Sequence, residues 1–420
     1  MRLTLYSIFG LAAFYGIFIL FRPLEVSIAP AGAGPAASSS SSVPVAAEKS
    51  SSTTKQATDT PKPTSGDAAL QPQLKNPPEI AKAIYISAWS AGTPSRIKSL
   101  VDLVKRTELN AVVVDVKDYS GYVSYVTDVR EVREAKSDRE PRIARPNELI
   151  KMLHDNGIYV IARVTVFQDS IFAKAHPEWA LKNKATGKLW VDRKQLAWMD
   201  PAGKPTWDYH VAIAKDALAR GFDEVNFDYI RFPSDGKLSE ASYPFWDEKT
   251  PRSKIIRQFF VYLREQLPGA RISADLFGLA TVNRDDLGIG QIIEDAYRNF
   301  DYVYPMVYPS HYAPGFIGYT NPGQYPYEVM KYSLDRARER RDILIRGTSS
   351  TPGIPQGKVG KLRPWIQDFD LGATYTAGMI KKEFQATYDS LNMASSSDAY
   401  GGWAIWDPAN TYTESALLAE

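Results

Sequence analysis

Short apolar runs alternate with amphipathic stretches from residue 79 to the end of this 420-residue chain. The apolar runs have the length and composition of buried strands, and the stretches between them have the periodicity of surface helices. Such alternation is typical of a parallel sheet covered by helices, and eight units match the size of a (β/α)8 barrel, or TIM barrel. An open doubly wound sheet is the alternative, although no glycine-rich phosphate turn follows the first run. The predicted strands are residues 83–89, 111–118, 159–167, 224–232, 271–278, 302–308, 362–369 and 401–408.

The first 78 residues differ in composition from the rest of the chain. Residues 3–21 form an almost unbroken apolar run, which suits a bilayer span of roughly 17–25 residues and exceeds the apolar part of most signal peptides. Residues 24–78 are rich in Ser, Ala, Pro and Thr and have too few large apolar residues to fold. We therefore predict a transmembrane anchor or signal segment over 1–23, a disordered linker over 24–78 and the barrel over 79–420. This organisation predicts an extracytoplasmic protein anchored in the cell envelope, or a secreted one if the first segment is cleaved.

Composition excludes several classes of chemistry. The chain has no cysteine, so thiolate nucleophiles, disulfides and cysteine-ligated metals are excluded. Its formal net charge of +2 gives no electrostatic support for a nucleic-acid partner. Its four histidines are too scattered for a histidine-ligated metal site. We predict no cofactor, no metal and no nucleic-acid partner.

Two carboxylates stand at the ends of consecutive predicted strands. Asp228 follows an apolar run and precedes a proline-containing loop, and Asp275 repeats the pattern one unit later. The carboxyl ends of barrel strands are where barrel enzymes place their chemistry, and a pair of carboxylates is the minimum required to cleave a glycosidic bond. The alternative is a structural ion pair, for instance of Asp228 with Arg163 or Arg231.

The alternation of side chains along the strands predicts which residues face the barrel interior. Asp115 and Lys117 share one face of their strand, opposite an all-valine face that suits contact with helices. The same reasoning turns Arg163 and Phe167 inward. Asp115 and Lys117 would bind a sugar hydroxyl or form an internal salt bridge.

A substrate site would surround the two aspartates. Aromatic residues make up 12% of the chain, and sugars bind well against aromatic faces, although a large barrel also buries many aromatic side chains. Trp406 could form the floor of the site, and Gln367 could donate a hydrogen bond to a sugar. The predicted substrate-binding residues are Asp115, Lys117, Arg163, Arg231, Tyr308, Trp365, Gln367, Trp406 and Asp407.

Seven segments spread over residues 81–410 resemble the "putative glycoside hydrolase" domain family of bacterial envelope proteins. The resemblance implies a TIM barrel distantly similar to those of α-amylases and α-galactosidases, with the nucleophile at the position of Asp228. Those amylases have an arginine and a glutamate where this chain has Asn226 and Asp275. The matching segments are KAIYIS at 82–87, VDVKD at 114–118, NFDYIRFP at 226–233, SADLFG at 273–278, YPMVYP at 304–309, RPWIQDF at 363–369 and GWAIWD at 402–407.

The sequence thus predicts a glycoside hydrolase that cleaves an extracytoplasmic polysaccharide by a two-carboxylate mechanism. Asp228 would be the nucleophile or the stabiliser of the transition state, and Asp275 the general acid and base. One alternative is a catalytically inactive, carbohydrate-binding envelope module. Another is a metal-dependent polysaccharide deacetylase, which would need a His–His–Asp metal site.

Overall fold

The computed structural model describes residues 66–349, 359–391 and 398–419. The predicted membrane segment over 1–23 and most of the predicted linker lie outside these residues. Within the described residues, no helix is both long enough and apolar enough to cross a bilayer.

Of the eleven strands in the described residues, nine form a single parallel sheet in the order β10-β11-β1-β2-β3-β5-β7-β8-β9, and β4 and β6 form a small antiparallel pair. All eight predicted strands are present, and the seventh is broken into β9 and β10. The strands are β1 (Ala81–Ile86), β2 (Ala111–Lys117), β3 (Tyr159–Thr165), β4 (Lys182–Asn183), β5 (Glu224–Asp228), β6 (Ala241–Ser242), β7 (Ile272–Phe277), β8 (Tyr302–Met306), β9 (Lys361–Leu362), β10 (Trp365–Gln367) and β11 (Gly402–Trp406).

The sheet curls so far that its two edge strands come from one stretch of chain. Only Arg363 and Pro364 separate β9 from β10, and the ladder breaks there because proline has no N–H to donate. Arg363 N donates to Val303 O on one side (2.9 Å), and Pro364 O accepts from Ala404 N on the other (3.0 Å). This α/β architecture is consistent with the predicted TIM barrel. The strand order follows the chain without doubling back, so the doubly wound alternative is excluded.

Helices connect the strands and cover the outer face of the sheet. Four of them, α2, α4, α6 and α9, carry proline in their first or second position, where the missing N–H leaves no helical hydrogen bond unmade. The helices are α1 (Ala88–Ala91), α2 (Pro94–Lys105), α3 (Arg130–Ala135), α4 (Pro146–Asp155), α5 (Ser170–Ala175), α6 (Lys204–Arg220), α7 (Arg252–Gln266), α8 (Ile293–Asn299), α9 (Pro326–Ser349) and α10 (Ala377–Leu391).

Two apolar clusters fill the space on either side of the sheet. Val112, Val114 and Val116 pack in the larger cluster under the helices, as the alternation predicts, and a smaller cluster rich in tyrosine and alanine fills the interior of the curl. The prediction for Phe167 is wrong. Its ring lies in the outer cluster, 5.1 Å from the ring of Phe259, because β3 ends at Thr165 and the strand alternation does not continue beyond it.

The end of the predicted linker is part of the folded domain. Asp67 accepts hydrogen bonds from Asn147 N (3.1 Å) and Glu148 N (3.0 Å) in the first turn of α4. Leu74 N donates to the carboxylate of Asp223 (2.6 Å), and the Leu74 side chain packs against the interior cluster. The prediction of disorder up to residue 78 is therefore wrong for residues 66–78. This segment has few apolar side chains, but its hydrogen bonds to polar groups of the barrel hold it in place.

A single glycine allows β11 to approach β1. Gly402 has φ +113°, and a Cβ there would lie 1.8 Å from Ala81 O. We expect Gly402→Ala to lower the free energy of unfolding by more than the roughly 1–3 kcal/mol of backbone strain alone, because the two strands must also separate. Urea denaturation of the full-length protein measures the loss.

Gly157→Ala is the matched control. Gly157 also has positive φ (+71°), but nothing lies within 4 Å of its added Cβ. It should therefore show the cost of strain alone. Equal losses for the two variants would contradict the proposed clash between β1 and β11.

Candidate active site

Four ionisable side chains meet at the carboxyl ends of neighbouring strands. Asp115 of β2 is in register with Arg163 of β3, and Thr165 of β3 is in register with Asp228 of β5. Asp275 lies on the next strand, β7. All four side chains point into the interior of the curled sheet, as the sequence predicts for Asp115, Arg163 and the two aspartates.

The guanidinium of Arg163 is the centre of this cluster. Its Nη1 donates to Asp115 Oδ1 (2.6 Å), and its Nη2 donates to Asp228 Oδ2. Its Nε lies 3.8 Å from Asp275 Oδ2. All four residues are buried. One positive charge thus faces three carboxylates, and an excess of negative charge away from water favours retention of a proton.

Asp275 has the environment of a protonated carboxyl group. It is only 1% exposed, and its Oδ1 accepts hydrogen bonds from Asn226 Nδ2 and Trp365 Nε1, both at 2.9 Å. Burial, and then the nearby negative charge of Asp228, raise the pKa of Asp275 well above its usual range. A raised pKa is the property that a carboxyl group needs to act as a general acid at neutral pH.

Asp228 accepts a hydrogen bond on each of its carboxylate oxygens. Besides the bond from Arg163, it accepts a hydrogen bond from Tyr229 N at 2.6 Å. Tyr229 has φ +53°, a left-handed conformation that costs a non-glycine residue roughly 1–3 kcal/mol. The strained turn at Tyr229 places its N–H against the carboxylate of Asp228.

Tyr85 and Trp406 form one wall of the site. The hydroxyl of Tyr85 donates to Asp115 Oδ2 (2.5 Å), and its ring stacks on Trp406 with centroids 4.0 Å apart. The Arg163 guanidinium lies 5.0 Å from the Trp406 ring. The cation therefore has an aromatic face on one side and carboxylates on the others.

Three buried polar atoms at this site have no hydrogen-bond partner among the described residues. They are Arg163 Nε, Asn226 Oδ1 and Trp406 Nε1. A buried polar atom without a partner costs roughly 1–3 kcal/mol, so native proteins rarely leave several together. Their clustering around the aspartates indicates a place where a polar ligand or water completes the hydrogen bonding.

Lys117 does not share the inward face with Asp115, so the sequence prediction of its orientation is wrong. A bulge shifts the register of β2 between the two residues, which turns Lys117 toward the helices. There its Nζ pairs with Asp169 (2.9 Å) and donates to Thr165 O (2.8 Å) beside the ring of Tyr209. Neither a salt bridge with Asp115 nor a sugar contact from Lys117 fits this position.

The remaining predicted binding residues divide into those near the aspartates and those bonded elsewhere. Tyr308 belongs to the interior cluster, and the charges of Asp275 and Asp228 add to burial in raising its pKa. Arg231 lies over Trp198 and Phe277, each 4.8 Å away.

Trp365, Gln367 and Asp407 are engaged by the protein itself. Trp365 is fully buried and donates to Asp275. Gln367 accepts from Ser310 and donates to Phe369 O. Asp407 accepts from the backbone of the loop that follows β11. These contacts favour a role for the three side chains in positioning other groups of the site, rather than in binding a sugar directly.

The sequence reasoning did not assign functional roles to Tyr85, Asn226 and Tyr229. It also missed a second polar layer beneath the site, where Arg363 pairs with Glu224 (3.1 Å) in full burial. A charged residue inside an apolar run was the available signal for this pair. The described residues contain no group of three or more histidine, aspartate or glutamate side chains arranged to hold a metal ion.

Comparison with known proteins gives one extensive match. A model of the family described as "Putative glycosyl hydrolase domain" matches residues 83–412. No curated protein matches the chain.

Several solved structures are similar to part of this chain. A hypothetical protein from Ruminiclostridium thermocellum is 39% identical over 49% of this chain and 98% of that chain, with a TM-score of 0.43. The α-galactosidase of Thermus thermophilus is 13% identical over 80% of this chain and 60% of that chain, with a TM-score of 0.45. The chitobiase of Flavobacterium johnsoniae is 12% identical over 81% and 48%, also with a TM-score of 0.45. The family match, and not these partial likenesses, carries the inference of function.

The charge cluster predicts a specific dependence of stability on pH. Burial raises the pKa of Asp115 from 3.8 to about 6, so the folded protein holds this proton more tightly than the unfolded chain. Its contribution to stability is therefore present below pH 4 and lost as the pH rises to 6, a change of about 3 kcal/mol. In Asp115→Asn this loss disappears. We expect the variant to gain stability relative to the wild type between pH 4 and 7, as measured by urea denaturation.

Asp247→Asn provides a control of opposite sign. Hydrogen bonds from Thr250 and Lys249 lower the pKa of the exposed Asp247, so its contribution to stability is lost as the pH falls. That variant should lose stability relative to the wild type as the pH rises. A stability difference that does not vary with pH for Asp115→Asn would contradict the interpretation of the cluster.

Proposed function

Since the chain belongs to the family described as "Putative glycosyl hydrolase domain", we propose that it hydrolyses glycosidic bonds of a polysaccharide with Asp228 and Asp275. The observation that carries the proposal is the contrast between these two carboxyl groups on neighbouring strands. Asp228 accepts bonds that stabilise its charge, and burial beside Asp228 raises the pKa of Asp275. Two carboxyl groups whose environments differ in this way are the pattern of glycosidase active sites.

In the proposed reaction, Asp275 donates its proton to the leaving-group oxygen as the glycosidic bond breaks. Asp228 attacks the anomeric carbon or stabilises its positive charge, and a water molecule completes the hydrolysis. Both N–H donors to Asp275 bond the same oxygen, Oδ1, so the transferable proton belongs on Oδ2. We assign Trp365 and Asn226 to positioning Asp275, and Arg163 to holding the charge of Asp228.

The sugar would occupy the space around the unpartnered polar atoms. Trp406 Nε1 and Arg163 Nε would donate to sugar oxygens, and Asn226 Oδ1 would accept from a hydroxyl. Tyr308 and Arg231 are the remaining candidates for substrate contacts. Asp115 would act through Arg163, because both of its oxygens are already bonded within the cluster.

Replacement of either aspartate tests the proposal. We expect Asp228→Asn and Asp275→Asn each to lower kcat/KM by at least about 100-fold, the usual contribution of a general acid or base. The measurement is release of reducing ends from a panel of envelope and storage polysaccharides by the full-length protein. In the wild type, activity should also fall as the pH rises through the pKa of Asp275, because the acid must be protonated.

Asp368→Asn is the matched control. Asp368 is a buried carboxylate that follows β10, and burial raises its pKa as well, but its bonds go to Thr413. Its substitution should leave kcat/KM within about threefold, since its bonds go to Thr413 and not to the reacting atoms. Full activity in both Asp228→Asn and Asp275→Asn would refute the assignment.

A carbohydrate-binding module without catalysis is the second candidate. The near-complete burial of Asp275 favours it, because a general acid must reach its substrate. This candidate predicts that a polysaccharide is bound and not cleaved, and that binding survives loss of both aspartates.

We also propose that the domain is displayed outside the cytoplasm. The support comes from the sequence alone, namely the apolar run over residues 3–21 and the polar linker that follows it. We expect the full-length protein in the membrane fraction of a bacterial host, degraded by protease added to intact spheroplasts. A chain beginning at residue 24 should stay in the cytoplasm and be protected. Recovery of the full-length protein in the cytosol would contradict this localisation.

A further inference from the structure

The exposed aromatic side chains are not spread evenly over the molecule. Seven large apolar side chains are exposed in the described residues, four of them aromatic. All four aromatic residues lie in connections that follow the carboxyl ends of strands, namely Trp89 after β1, Tyr119 after β2, Phe245 after β5 and Tyr325 after β8. The three aliphatic residues are Val261 on α7, Ile343 on α9 and Leu418 near the end of the chain. In the part of the chain that the structure describes, the most exposed rings thus lie in the connections that leave the edge of the sheet carrying the aspartates.

Trp89 is the most exposed of these rings. Its residue is 63% exposed, whereas the other three residues of α1 are buried. The Arg142 guanidinium lies 3.9 Å from the ring centroid, and Arg142 is itself held by Glu140 (3.1 Å). A tryptophan supported in this way keeps its orientation while most of its surface stays in water, which is unfavourable unless something covers it.

Trp89 and Tyr119 are continuous with the candidate active site. Trp89 lies four residues beyond Tyr85, whose hydroxyl binds Asp115. Tyr119 lies two residues beyond the end of β2, the strand that carries Asp115. Since β1 and β2 are paired neighbours, the two rings follow adjacent strands at the edge of the sheet that carries the aspartates.

The chemistry of these rings suits a sugar better than a protein. A sugar ring presents a face of C–H groups to an aromatic ring and hydroxyls to the polar groups around it. Charged residues surround the Trp89 ring, with Arg142 over it and Arg139 and Arg142 near the neighbouring ring of Tyr122. A protein interface would instead be centred on a contiguous apolar patch.

We propose that Trp89, together with Tyr119, forms an accessory binding platform for a glycan that extends several sugar units beyond the aspartates. This inference rests on the proposed glycosidase function and specifies its substrate as a long chain rather than a small glycoside. The platform holds the polymer while the aspartates act on a bond farther along it.

Substitution of Trp89 tests the platform. We expect Trp89→Ala to weaken retention of the full-length protein in native gels containing its polysaccharide by up to about tenfold, the contribution of one aromatic contact. The gels would contain amylopectin, galactomannan, carboxymethyl cellulose, alginate or soluble peptidoglycan. KM for the polymer should rise by the same factor, while hydrolysis of a 4-nitrophenyl glycoside should be unchanged. Trp89→Phe should restore part of the retention.

Leu418→Ala is the matched control, because Leu418 is also 63% exposed and lies away from this edge. It should leave retention unchanged. Equal retention in Trp89→Ala and the wild type, with polymer hydrolysis intact, would overturn the platform and leave the glycosidase standing. Retention that depends on Trp89 without hydrolysis would support the platform and refute the glycosidase. Absence of retention on every polysaccharide would overturn the platform.

Discussion

The pairing of one buried guanidinium with three carboxylates is the constraint on which the site depends. Arg163 binds Asp115 and Asp228 directly and approaches Asp275, so it joins β2, β3, β5 and β7 at their carboxyl ends. Buried charges are tolerated only when they are paired and hydrogen-bonded. The register of these strands and the position of the charges therefore depend on each other.

The three carboxyl groups lie close to this one cation, but they differ in the hydrogen-bond donors that they receive. Asp228 and Asp115 take the strong bonds of Arg163, and Asp275 receives its hydrogen bonds from the neutral donors Asn226 and Trp365. Burial therefore raises the pKa most strongly for the carboxyl group that has the least positive charge nearby. The arrangement places a carboxyl group of raised pKa, Asp275, beside a carboxyl group that is paired with a guanidinium, Asp228.

The two ends of the curled sheet serve different purposes. Residues 66–80 cover the amino end, where Leu74 packs on the interior cluster and Asp67 caps α4. The carboxyl end carries the charges, the strained turn at Tyr229 and the exposed rings. The proposed site thus lies at the end of the sheet where barrel enzymes carry their chemistry.

The sequence by itself determined where the strands lie along the chain and that Asp228 and Asp275 stand at strand ends. The reason is that burial imposes a period of two on each strand and a turn marks its end. The tertiary structure decided which groups pair. A bulge sends Lys117 to Asp169, the end of β3 leaves Phe167 outside, and Trp365 becomes a donor to Asp275 rather than a direct substrate contact. Local pattern cannot reveal these outcomes, since each depends on register between segments far apart in the chain. The exposure of a side chain likewise depends on how the helices and loops pack. The sequence pattern therefore did not single out Trp89, whose side chain is exposed in the folded domain.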